Sequence, residues 1–65
     1  MAHGEIVEID LEILFETEKA VSVTDGDVKC WIAKSLIENY DDDWEKGTTE
    51  TMDIPEWVAL EKGLI

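Results

Sequence analysis

The 65 residues suffice for one small domain, and 17 acidic against 5 basic residues leave a formal net charge of −12. That balance argues against nucleic acid as a direct ligand and against an anionic membrane surface, because no cationic footprint is present to replace phosphate counterions. One cysteine and one histidine exclude an intrachain disulfide and a four-ligand Cys/His zinc site, while 45% apolar residues and three tryptophans do not describe a disordered acidic tail.

The chain reads as a single domain over 1–65, with residues 1–4 an untied end. From Glu5 a strict alternation begins. Val7, Ile9, Leu11, Ile13 and Phe15 fall on one face, and Glu8, Asp10, Glu12 and Glu16 on the other, with Leu14 the exception. Period 2 over this length predicts a long half-buried strand. Glu16-Thr17-Glu18 is the expected turn. Lys19 to Ser35 then reads as a hairpin, since Asp25-Gly26 separates the alternating pairs Val21/Val23 and Val28/Cys30/Ile32. With Asp25 and Gly26 central, Val23 faces Val28 and Val21 faces Cys30. Ser22, Thr24, Asp27, Lys29 and Trp31 take the opposite face.

Ser35 is expected to open a short helical turn, with Glu38 completing a capping box. Leu36, Ile37 and Tyr40 then lid one end of the core. A polar loop, Asp41 to Gly47, leads to a fourth strand over 48–54 with Met52 and Ile54 on one face. Pro55 suits the first position of a helix running to Lys62, and Gly63 suits its C′ position. The predicted class is mainly β with one short C-terminal helix: a small antiparallel curled sheet or open barrel, SH3-like or OB-like, of four or five strands. A flat sheet with the helix on one face is the alternative.

The alternation places Glu8, Asp10 and Glu12 in a ladder of carboxylates spaced by roughly 6.6–6.8 Å, two strand rises. Such a ladder can imitate a nucleic-acid backbone toward a nucleic-acid-binding protein, and it also serves as a solvated face that blocks aggregation. Asp41-Asp42-Asp43-Trp44-Glu45 does not fit an EF-hand, because Lys46 stands where Gly is needed and Met52 where the bidentate Glu is needed. No metal or other cofactor is expected. Trp44 has two readings, an anchor for a basic partner or a lid on the core. Trp31 either packs beneath the C-terminal helix against Trp57, the favoured arrangement, or lies exposed at an interface. Cys30 reads as an inert buried thiol, since a catalytic one needs a base and His3 is the sole imidazole. The chain reads as a non-enzyme.

Two segments resemble a family of small, uncharacterised bacteriophage and prophage proteins. Asp25-Gly26-Asp27 through Trp31-Ile32-Ala33-Lys34-Ser35 is similar to its "DG…WIPKS" segment, with Ala33 in place of the usual Pro. Ile54-Pro55-Glu56-Trp57-Val58-Ala59-Leu60-Glu61-Lys62-Gly63-Leu64-Ile65 is similar to its terminal "IPEWLAEEKGLI". The resemblance implies phage origin and a host-cell cytoplasm, which a free cysteine also suits. The function expected is an acidic protein-interaction module, an inhibitor or DNA mimic acting on a nucleic-acid-processing or defence protein. Its surface would comprise Glu8, Asp10, Glu12, Trp31, Asp41, Asp42, Asp43 and Trp44. A structural or accessory role through a homodimer, on an open sheet edge or on Trp31, is the alternative.

Overall fold

The computed structural model describes residues 5–65; His3 and the expected untied end lie outside the described residues. Strands β1 (Ile6–Glu16), β2 (Ala20–Thr24), β3 (Lys29–Ala33) and β4 (Thr49–Pro55) form one antiparallel sheet in the order β3-β2-β1-β4, and helix α1 (Glu56–Glu61) follows. The class is as the sequence predicts, with four strands in a sheet that does not close. The long β1 is shared by two partners: Ile6 to Glu12 pair with β4, and Glu12 to Glu16 pair with β2.

One face of the sheet is the core. Leu11, Ile13, Val21, Val23, Ile32, Met52 and Ile54 are buried there, beneath Ile37, Val58, Ala59 and Leu64. Helix α1 is too short to persist alone. It is held by Val58 and Ala59 against the sheet and by a Schellman closure, in which Leu64 N–H donates to Ala59 O and Gly63 N–H to Leu60 O. Gly63 has φ +78°, the left-handed conformation this closure requires. Pro55 is the N-cap rather than the first helical residue. The apolar stripe is Val58, Ala59 and Leu64; Trp57 and Leu60 face solvent.

The Asp25-Gly26 hairpin forms, but its pairing differs from the predicted one. Val23 faces Cys30 and Val21 faces Ile32. The cause is the Asp25 side chain, whose Oδ1 accepts from both Asp27 and Val28 N–H at 2.9 and 2.8 Å. That local closure moves the tip to Gly26-Asp27, with Gly26 at φ +105°. A shift of two residues in pairing leaves every paired side chain on its predicted face, while Asp27, expected on the outer face, lies in the turn.

The Leu14 exception is a β-bulge. Ile13 faces Val23, yet Phe15 faces Ser22, so Leu14 is the extra residue. Beyond it the faces exchange. Phe15, expected inside, is exposed, and Glu16, expected outside, turns to the core side and meets Lys34 and Tyr40.

The Ser35 capping box does not form. A single 3₁₀ turn spans Lys34–Leu36 without a side-chain cap. Glu38 is committed elsewhere, its N–H donating to Asp53 O at 2.7 Å. Asn39 adds two more bonds to β4, accepting from Asp53 N–H at 2.8 Å and donating to Thr51 O at 2.9 Å. The outer edge of β4 is therefore occupied by residues 38–39. The outer edge of β3 is not. Bonded pairs Lys34 with Lys19 and Asp25 with Val28 fix the alternation, so the N–H and C=O groups of Lys29, Trp31 and Ala33 point away from β2. No backbone bond to another element engages them among the described residues.

Candidate functional site

Among the described residues nothing covers the second face of the sheet, and its composition changes along β1. At one end stand Glu8, Asp10 and Glu12, held on one face by the alternation that buries Leu11. Register adds what the linear pattern does not display: Asp53 of β4 lies directly opposite Glu8. The Glu5–Glu56 and Ile13–Thr48 backbone bonds place Glu8 and Asp53 in a non-hydrogen-bonded pair, the closer of the two kinds, where like charges repel. Asp10 faces Thr51, whose hydroxyl donates to Asp10 Oδ1 at 2.6 Å. Glu12 lies between Thr49 and Thr24. None of these four carboxylates is in an ion pair among the described residues. Asp10, Glu12, Thr24, Asp25, Gly26 and Thr49 line a shallow open hollow of about 300 Å³ between the ladder and the hairpin tip.

The other end of the same face is aromatic. Phe15, Ser22 and Trp31 are neighbours across β1, β2 and β3. Phe15 is 57% exposed and Trp31 49%, whereas Ser22 between them is 8% exposed, shielded by its flanks. The Lys46 ammonium sits 4.8 Å from the Phe15 ring centroid. Trp31 is thus on the face opposite α1 and does not pack beneath the helix with Trp57: Ile32, its neighbour in sequence, took the inward position.

The acidic loop is separate from the ladder. Asp41 shapes it, accepting Asp43 N–H on Oδ1 at 2.8 Å and Trp44 N–H on its carbonyl at 3.1 Å. Asp41, Asp42 and Asp43 are exposed. Trp44 packs edge-to-face on Tyr40, centroids 5.3 Å apart, and both lie against the core. Of its two readings, the lid is the one observed. Cys30 is half-buried against the core, and burial pushes its thiol up. Among the described residues, no group of three or more His, Cys, Asp or Glu is placed to hold a metal ion.

At the core-side rim, Glu16 accepts from Lys34 and from the Tyr40 hydroxyl, and the Lys34 ammonium lies 5.1 Å from the Tyr40 ring. The Lys34 bond, then that of Tyr40, holds the Glu16 carboxyl below its ordinary range. A depressed carboxyl stabilises the fold above its unfolded pKa and ceases to do so as pH falls through its folded value. Glu16→Gln should accordingly lower the urea midpoint at pH 7 and leave it unchanged at strongly acidic pH, where the wild-type carboxyl is also neutral. Urea titrations across that range check this, and a constant gap at every pH would refute it.

No helix among the described residues is long and apolar enough to cross a membrane. Comparison with protein-family models, with curated proteins and with solved structures gives no match.

Proposed function

We propose that the protein is an acidic interaction module whose open sheet face, through Glu8, Asp10, Glu12 and Asp53, engages a basic protein surface of the kind that otherwise holds nucleic acid. The supporting observation is the Glu8–Asp53 opposition. The face keeps two carboxylates in close cross-strand register, with no ion-pair partner among the described residues, in a chain already at −12. A face selected for stability alone would place a lysine at one of those positions. Mutual repulsion is relieved when a cationic surface covers the row, so part of the attraction is built into the unbound state. The row of carboxylates on a sheet is a regular negative array, which is how a phosphate backbone presents itself. Binding to such a target makes the protein a competitor of nucleic acid, hence an inhibitor. The resemblance of two segments to phage proteins supports a target in a bacterial cell.

The test is the triple reversal Glu8→Lys, Asp10→Lys, Glu12→Lys. Immobilised wild type should retain a nucleic-acid-binding protein from bacterial lysate at low salt, lose it as salt rises, and lose it to added duplex DNA. The reversed variant should retain none of it, while its own stability is unchanged or raised because Glu8→Lys replaces a like-charge pair by an attractive one. Equal retention by both proteins would reject the acidic face as the binding surface.

A further inference from the structure

We infer that the outer edge of β3 pairs with the β3 edge of a second copy of this chain, in an antiparallel two-fold arrangement centred on Trp31. Trp31 is the midpoint of Lys29–Ala33. A two-fold axis there sets Trp31 opposite Trp31 of the second copy and Lys29 opposite Ala33. The outward N–H and C=O groups of Lys29, Trp31 and Ala33 are the set that such pairing consumes. No like charges oppose one another in this register. Each Lys29 lies diagonal to the other copy's Trp31, within reach of its ring face on the same side of the sheet.

The distribution of charge singles out a second copy as the occupant. Two chains at −12 repel over most of their surface, and the acidic residues of the open face lie on β1 and β4. The segment 19–34 holds three of the five basic residues, Lys19, Lys29 and Lys34, against Asp25 and Asp27. The β3 side is thus where two copies can approach. The β4 edge, occupied by Asn39 and Glu38, offers no alternative. Pairing also covers Trp31, the large aromatic whose exposure the single chain leaves unexplained, and joins the two Phe15–Ser22–Trp31 rows into one. The dimer presents two acidic faces on a continuous sheet, and it uses none of the residues assigned to the basic partner, so either proposal can fail without the other.

Ala33 supplies a discriminating variant. Its φ of −63° is the angle proline fixes, and its N–H points outward. Ala33→Pro should therefore leave the single chain folded, its circular dichroism and melting temperature unchanged or raised. In the dimer it removes the Ala33 donor from both copies. Sedimentation equilibrium of the full chain, at low and raised salt, should show a monomer–dimer equilibrium that salt strengthens by screening the −12 charges. Ala33→Pro should weaken it by about tenfold or more. Should Ala33→Pro fail to fold, Trp31→Arg decides, because it sets two like charges at the axis. A wild type that remains monomeric at every concentration and salt, or a dimer indifferent to the folded variant, overturns the proposal.

Discussion

Leu11→Ala is expected to lower the melting temperature by about 10–30 °C, close to the limit of what this fold survives. Leu11 is fully buried at the point of β1 where pairing passes from β4 to β2. Deleting a buried leucine to alanine costs about 2–5 kcal/mol, the higher figures where the cavity cannot collapse. Collapse is hindered here, because β1 is hydrogen-bonded into the sheet on either side of that point and cannot shift without breaking one ladder. A core in a chain of this size supplies about 3–5 kcal/mol of net stability, and each kcal/mol moves the midpoint of so small a domain by about 4–8 °C. Leu60→Ala is the control. Leu60 is 57% exposed on α1, and its truncation should fall within about 0.5 kcal/mol of wild type. Thermal unfolding followed by circular dichroism checks both, and a fall of under about 3 °C for Leu11→Ala would contradict the placement of the core.

Val58→Asp should abolish the cooperative transition at neutral pH. Val58 is fully buried between α1 and the sheet. A carboxylate there loses its water without gaining a partner, a penalty of several kcal/mol. The chain escapes by releasing α1. Six residues do not hold a helix in water, so release is also melting, and it uncovers Met52 and Ile54. The expected signature is loss of helical circular dichroism together with binding of a hydrophobic dye. Salt separates this from simple charge repulsion. Added salt screens exposed charges but not a buried one, so it should not restore the transition. Recovery in high salt would mean that position 58 is solvated and that α1 docks some other way.

The elements whose order and faces were legible are those set by local chemistry. Alternation from Val7 to Ile13 gives β1 its buried side, Asp25-Gly26 gives the hairpin, and Gly63 gives the helix its end. Face assignment in the hairpin survived even though its pairing moved, because the Asp25 side chain shifted the register by two residues and the pleat repeats every two. What stayed hidden depends on partners distant in sequence. Leu14 is a bulge only because β2 resumes its register opposite Phe15. Asp53 joins Glu8 only once β4 is laid beside β1. Asn39 has no pattern of its own and acquires its role by passing the β4 edge. Within the candidate site, the Glu8-Asp10-Glu12 ladder was readable and its repulsive fourth member was not. Trp44 gave no local indication of turning toward Tyr40, since its loop is acidic and its destination is the core.

The bulge at Leu14 bears on how this surface can change over generations. A point substitution there alters one side chain and leaves the phase of the strand intact. Loss of the Leu14 codon would remove the extra residue and make the β1–β2 pairing regular. Phe15 would stay opposite Ser22 on the open face and Glu16 opposite Val21 on the core side, so the aromatic row and the Glu16–Lys34–Tyr40 cluster would both survive the deletion. A single-residue insertion or deletion at this point is a step that a lineage can take without losing that part of the sheet.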